Sequence, residues 1–334
     1  MKLDGAQVRI TPLELTLNGS PIRATADVDL SVPGYKYALT FQGTNVAFAP
    51  LWNTFKPDQK GEMAGELTAR MDLSGVGTTG ESLQKSLAGT FDIATTNLNL
   101  SLNKIRSPVL KNLAIVVARM PNILTNPASA GTSIAGGALE NALGSKLTGG
   151  LAGDLNRSPI DVITARGTAG DGKVELRQAT VRSSVFQADA TGTITLAKEF
   201  TNSAIQLPIS ISLARPIAER IGFLPDNTPT NAAYVKFPDF YSESGTLARP
   251  TPHINPAPLG VEELQKLGFK IPGLSVTNGV AGTNGVIDNV LQGLDGVFQG
   301  GAHTNRVNTN QPPTNKPPAN SLIDRLLAPE SGSK

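Results

Sequence analysis

Cysteine is absent from all 334 residues, which excludes disulfide staples and thiolate metal sites but leaves the compartment open. Histidine is nearly absent. His253 and His303 are the only two, both in proline- or asparagine-rich surroundings, so neither a Ser–His machine nor a two-histidine metal site is supported. Charged residues are 17%, below the usual quarter, and aromatics only 5%. The formal net charge of +2 implies no nucleic-acid partner. No apolar run approaches the roughly 20 residues that span a bilayer. The opening MKLDGAQVRITP lacks a signal-peptide core and drops straight into strand pattern.

What is present points to turns and strands. The 34 glycines and 24 prolines follow no collagen-like period, and Thr, Asn, Ala and Leu are abundant. That composition suits an extended β protein with many turns, in one or two domains.

The chain is organised around Glu62–Ile93. Leu67, Ala69, Met71 and Leu73 alternate with Glu66, Thr68, Arg70 and Asp72, a period of two that gives a strand one apolar face. Thr78 and Glu81 stand at capping-box spacing, and Leu83 and Leu87 fall on one side of the short helix that follows. Gly89 suits the left-handed position just past the helix end, and Phe91 and Ile93 open the next strand.

Gly75, Gly77 and Gly80 spell GxGxxG between a strand and a helix, the place of a dinucleotide-binding fingerprint. The strand is half polar, however, whereas the buried parallel strand of that fold is apolar on both faces. The helix is too short for a crossover, and no Asp or Glu lies between Asp92 and Glu140 to hold a ribose. A tight strand-to-helix turn is the better reading.

Before this stretch, Leu13, Leu15 and Leu17 alternate with polar residues up to the hairpin signal Asn18-Gly19. The return strand carries Ile22, Ala24, Ala26, Val28 and Leu30 on one face. Pro33-Gly34 turns the chain again, and Tyr35, Tyr37, Leu39 and Phe41 continue an antiparallel meander with one wet face. Val46, Phe48, Leu51, Trp52 and Phe55 read as a short strand and turn packed over the sheet, with Trp52 as core filler or interfacial anchor.

After it, Leu98, Leu100 and Leu102 read as another strand. Ile105 to Met120 turns helical with Leu110, Leu113, Ala114 and Val117 on one face, and Lys104, Arg106, Lys111 and Arg119 make it basic. Packing on the sheet outranks a membrane-surface role for this helix. Residues 126–153 are rich in Gly, Ala and Ser; Gly131-x-Ser133 hints at a nucleophile elbow, but Ala135 replaces the closing glycine. Strands resume at Ile160, turn at Asp171-Gly172, and continue through Phe186, Ala188, Ala190, Gly192, Ile194 and Leu196.

Ile205, Leu207, Ile209, Ile211 and Leu213 form the most apolar strand, and Pro208 predicts an edge or a bulge there. Pro216 fits the first turn of a short helix through Ile221, and the run SGTLARPTPHIN follows from Ser244. Beyond Pro250 come a short helix over Val261–Leu267 and an apolar stripe from Val286 to Phe298. A linker rich in Pro and Asn from Thr304 to Asn320 and a last amphipathic segment at Leu322–Leu327 complete the chain.

The strand ending in DLSG, then G-x-G-T-T, a short helix with paired leucines, then L-x-G-T-F over Asp72–Ile93, resembles the C-terminal region of the AsmA family, relatives of TamB. The resemblance covers roughly Met1 to Pro250, including the G-T-L-x-x-P run from Gly245. It implies a non-enzymatic bacterial envelope protein, periplasmic and held at the inner membrane through an N-terminal segment absent from this chain. It implies a mainly β fold with a few short helices, a long antiparallel amphipathic sheet curved into a greasy groove, helices packed at its end and a C-terminal amphipathic tail.

Phospholipid acyl chains are the implied ligand, in transport between inner and outer membrane and in outer-membrane assembly. A membrane surface or outer-membrane assembly proteins are further partners; no cofactor, metal or catalytic residue is expected. On these strands the groove candidates are Ile22, Val28, Leu30, Leu39, Phe41, Leu67, Met71, Ile194, Leu207, Ile209 and Ile211. The domain reading is an AsmA-like β-rich domain over 1–258, appended helices over 259–300, a linker over 301–320 and a short helix over 321–334. The competing reading is a structural or docking module of the envelope with a closed core and no lipid cargo. An enzyme would rest only on the two defective glycine motifs.

Overall fold

Two-residue turns set the architecture. Asn18 and Gly19 (φ 52° and 85°) and Asp171 and Gly172 (φ 50° and 72°) both place consecutive residues in the left-handed region, as tight hairpins require. The computed structural model describes residues 2–55, 57–61, 64–77, 79–102, 105–126 and 150–269. The expectations for 127–149, Gly131 and Ser133 among them, and for the tail from 270, with His303, fall outside the described residues.

Among the described residues, thirteen strands form one open antiparallel sheet in which each strand through β10 follows its sequence neighbour. They are β1 (Lys2–Asp4), β2 (Gln7–Leu17), β3 (Ser20–Asp29), β4 (Lys36–Ala47), β5 (Glu66–Val76), β6 (Ala88–Thr96) and β7 (Ile160–Gly170). Then come β8 (Lys173–Ser183), β9 (Phe186–Thr195), β10 (Ala204–Ala214), β11 (Tyr234–Lys236), β12 (Tyr241–Gly245) and β13 (Pro250–Ile254). β10 is bordered on its far side by both β11 and β12, and β13 ends the sheet. The expected mainly β fold with a few short helices is observed.

Bulges keep the apolar face on one side. In β2 the apolar residues Val8 and Ile10 are even-numbered, whereas Leu13, Leu15 and Leu17 are odd. The register against β3 shifts between Ile10 and Leu13, so both sets reach the same face. The same device operates in β8, where Val174 and Leu176 precede the shift and Ala179 and Val181 follow it.

Helices cover one end of this face. α1 (Phe48–Phe55) follows β4, and α2 (Gly80–Ser86) links β5 to β6. α3 (Pro108–Ala118), α4 (Met120–Thr125) and α5 (Gly150–Arg157) lie between β6 and β7, while α6 (Arg215–Arg220) and α7 (Val261–Lys266) follow β10 and β13. Ser107 caps α3 by accepting from the Leu110 amide, with Pro108 in the first turn. Val116, Val117 and Met120 are fully buried there against Ile211, Leu213 and Phe186. Six consecutive residues of α3, Asn112 to Val117, are buried, so this helix is packed into the protein rather than laid on a lipid surface.

Several local readings change. Thr78 lies outside the described residues, and the box at the start of α2 is made one residue later: Ser82 donates its amide to Thr79 Oγ1 (3.2 Å), and the Thr79 amide donates to Ser82 Oγ (2.9 Å). Gly89 is not a helix cap. Its φ of 142° sits inside β6, where a Cβ would strike the Asp72 carbonyl of β5.

Phe48–Phe55 is a helix, not strand and turn. Leu98–Leu102 is not a strand: Asn97 turns the backbone left-handed (φ 55°), and only a lone bridge from Leu100 to Ile160 follows. Pro208 is not at an edge. β10 is paired on both sides, and its ladder with β9 breaks between Gln206 and Ile209, where the proline has no N–H to give. The described part of the expected appended region, Gly260 to Phe269, is packed in, since Leu264 and Phe269 are buried in the same core.

Candidate functional site: the bare half of the apolar face

Cross-strand register shows how far the apolar face extends. Residues directly opposite in an antiparallel ladder share a face, so Leu15, Ile22, Gly43, Ala69, Ile93 and Ala165 form one row across β2–β7. The row continues through Ala179 and Ala190 to Ile209 on β10. A parallel row runs Leu13, Ala24, Phe41, Met71, Phe91 and Gly167. One unbroken apolar face thus spans the sheet.

Its two ends are treated differently. At the β8–β13 end it is core: Ile205, Ile209, Ile211 and Leu213 are 0–4% exposed beneath the helices. Over β1–β6 it carries no comparable cover among the described residues: Leu3, Leu13, Leu15, Leu30 and Leu39 are 39–69% exposed, Leu67, Met71, Phe91 and Ile93 are half-buried, and Ile22, Val46 and Ala69 are buried by their neighbours. With strands about 4.8 Å apart and a rise of about 3.3 Å per residue, the bare region measures roughly 20 by 30 Å. A monomer seldom exposes more than a few hundred Å² of contiguous apolar surface, and larger patches mark sites of interaction.

Three aromatic rings lie down on this face instead of standing up from it. A Cβ on Gly75 would lie 2.6 Å from the Tyr37 hydroxyl, one on Gly43 3.3 Å from Phe41 Cζ, and one on Gly167 2.8 Å from Phe91 Cζ. Each ring covers a glycine on its own or the adjacent strand, in the manner of aromatic rescue. Gly75 therefore serves ring packing. Gly77 packs on Ser82 and Gly80 on the Lys198 carbonyl, so all three glycines of the GxGxxG string have structural employment and form no phosphate cradle.

α1 follows β4 directly. Trp52 stacks on Phe48 with centroids 6.1 Å apart, and its Nε1 is shielded from solvent without a hydrogen-bond partner. The opposite face of the same strands is polar and ion-paired: Arg9–Asp27 (3.1 Å), Arg23–Glu14 (2.5 Å) and Arg166–Asp92 (3.2 Å). Burial raises the Tyr37 hydroxyl pKa, so this ring stays neutral on the apolar side.

The sequence candidates divide between the two ends. Val28, Leu30, Leu39, Phe41, Leu67 and Met71 lie on the bare face, with Ile22 beside them at 9% exposure. Leu207, Ile209 and Ile211 are in the closed core, and Ile194 packs against it, so those four positions are not open to a ligand in this structure. Leu3 of β1, opposite Val8, joins the bare face, as do Val8 and Ile10, which the bulge in β2 hides in the sequence. Neither of two clefts of about 430 and 410 Å³, one beside Lys173 and Ser244 and the other between Pro225 and Phe269, touches β2–β6.

Two polar features belong to the covered end. Glu243 is 1% exposed, facing the core opposite Leu207. Asn112 of α3 donates to it (3.3 Å), as does the Tyr241 hydroxyl. Burial pushes the Glu243 pKa up to about 7 against the opposing effect of these two bonds, and burial also raises Tyr241. On the outer face, Ser244 Oγ lies 2.6 Å from His253 Nε2. Nothing in the sequence marks this Ser–His contact, because His253 sits among prolines. No carboxylate among the described residues bonds the other ring nitrogen, so nothing fixes the tautomer as a catalytic triad would.

Among the described residues no helix is long and apolar enough to cross a membrane, and no cluster of His, Asp or Glu has metal-binding geometry. No family model, curated protein or solved structure matches the chain.

Proposed function

We propose that the bare face over β2–β6 is a working surface for phospholipid acyl chains, in a non-enzymatic, AsmA-type protein of the bacterial periplasm that moves lipid between the two membranes. One observation carries the reading. The same apolar face is a packed core at one end and, among the described residues, is left uncovered at the other over an area that folding alone gives no reason to expose. Half the roughly 30 Å hydrocarbon core of a bilayer is about 15 Å, so an acyl chain fits within the bare region either along or across the strands. A curved sheet would turn this face into the groove that the AsmA resemblance implies.

Polar headgroups find no counter-charge on the face itself, whose polar partners are on the other side of the sheet. Headgroups would therefore remain in water at the margins while the chains lie on the leucines and aromatic rings. The test is organic-solvent extraction of purified protein followed by mass spectrometry of the extract. Phospholipid at near-stoichiometric amounts is expected from wild type, and Val28→Asp and Leu39→Asp should stay folded yet lose it. Wild type that never carries lipid, or folded aspartate variants that retain it, overturns the proposal.

A further inference from the structure

The sheet is open, and its two edges are finished differently. β13 is five residues long, carries Pro250 and Pro252, and is packed beside α3. Prolines and short length blunt an edge against further pairing. β2 is 11 residues long, and β1 pairs only with its Gln7, Val8 and Arg9. Beyond Arg9 no strand among the described residues pairs with its outer side. Pro12, at the bulge, has no N–H, so the stretch able to accept a strand is Leu13–Leu17, ended by the Asn18-Gly19 turn.

We propose that this edge pairs with the same edge of a second copy of the chain, antiparallel and centred on Leu15, to give a two-fold dimer with one continuous sheet. The sequence Leu-Glu-Leu-Thr-Leu is symmetric in polarity about its centre. A two-fold axis at Leu15 sets Leu13 against Leu17 of the partner subunit and Glu14 against Thr16 of the partner subunit. Every leucine then meets a leucine and no like charges are opposed.

Other registers fail on stated grounds. Centring on Glu14 puts two carboxylates face to face. Centring on Thr16 moves Glu14 opposite a turn and shortens the ladder. Any half-residue shift sets leucine opposite a polar residue and turns the partner's apolar face to the wrong side. In the Leu15 register the partner's strand ends at its own hairpin turn, opposite Pro12, and so stops short of β1, which begins pairing at Arg9.

The two bare faces become neighbours across the axis, doubling the apolar surface while removing the exposed edge from each copy. The inference does not rest on the lipid reading: the dimer can form whether or not lipid binds.

The absence of cysteine allows a clean test in the full chain. Leu15→Cys places two thiols opposite each other across the axis, within the Cα separation of about 4.5–6.8 Å that a disulfide accepts. Leu13→Cys and Glu14→Cys do not. Under mild oxidation at micromolar protein, Leu15→Cys should give a covalent dimer at least about ten times faster than either control, since only it satisfies the geometry. Wild type should sediment with a concentration-dependent dimer fraction that Leu15→Lys lowers at least about tenfold, by opposing two ammonium groups.

Equal crosslinking at Leu13 and Leu15, or a wild type monomeric at every concentration with Leu15→Cys uncrosslinked, overturns the proposal. The second result would leave the edge to a different protein. Far-UV circular dichroism of each variant confirms that the sheet is intact.

Discussion

The β2–β6 and β8–β13 halves of this sheet are built alike and end in opposite environments. β2–β6 are antiparallel strands of 9 to 12 residues and β8–β10 of 10 or 11, both sets alternate apolar and polar residues, and cross-strand register joins their apolar sides into one face. At one half, α3, α4 and the segments after β10 press on that face until Ile211 and Leu213 have no solvent exposure. At the other, Leu13 and Leu39 remain 46% and 39% exposed. Alternation therefore creates an amphipathic strand, but whether its apolar side is core or surface depends on what the intervening chain lays over it.

The largest expected contrast comes from one kind of substitution placed at each half. Ile211→Asp puts an unpaired carboxylate in a site with no solvent access, at a cost of several kcal/mol, enough to unfold a marginal domain. Leu39→Asp meets water on the bare half, so its cost should stay within about 1 kcal/mol. Urea denaturation of the two variants gives the comparison directly. Equal destabilisation would mean that the bare half is covered in solution.

An intermediate effect is expected from pH, and only at the covered half. Glu243 is held up to about 7 in the folded protein, above its ordinary 4.5, so its protonated form favours the fold. The stabilisation is complete below pH 4.5 and is lost as the pH rises through 7, a change of roughly 3 kcal/mol over about 2.5 pH units. Melting temperatures across pH 5 to 8 should fall in wild type, and the fall should flatten in Glu243→Gln. If the two curves run parallel, Glu243 is not the group responsible.

The smallest effect is expected on the polar side of the bare half. Arg23 and Glu14 form an ion pair whose side chains are 65% and 59% exposed, so Arg23→Ala should cost less than about 1 kcal/mol and lose its effect at high salt. A larger loss would show that the polar face, not the apolar one, holds these strands in register.

Much of this architecture was legible in the residues. Ile22 through Leu30 and Ile205 through Leu213 alternate without interruption, and the strands appear where that pattern places them. Asn18-Gly19 and Asp171-Gly172 announced their hairpins. The bulges were not legible, because an extra residue switches parity and makes one strand read as two weak ones. That is why Val8 and Ile10 went unnoticed beside Leu13 and Leu15. Glu243 was hidden for a different reason: in the run Tyr-Ser-Glu-Ser-Gly it looks like an exposed polar residue. Only the packing of Asn112 and Tyr241 around it makes it buried.

The sequence alone determined which side of each strand is apolar, where most hairpins turn, and that cysteine chemistry has no part in this protein. Those properties are local, set by side-chain period and by the φ values that Asn and Gly tolerate. Tertiary structure alone decided which half of the apolar face became core. Leu207, Ile209 and Ile211 have the same kind of neighbours along their strand as Val28 and Leu30. Their burial comes from α3, α4 and α5, which lie between β6 and β7 far earlier in the chain, and from segments that follow β10. The bare half was decided in the same way, because burial depends on the placement of distant segments and is not encoded in a strand's own alternation.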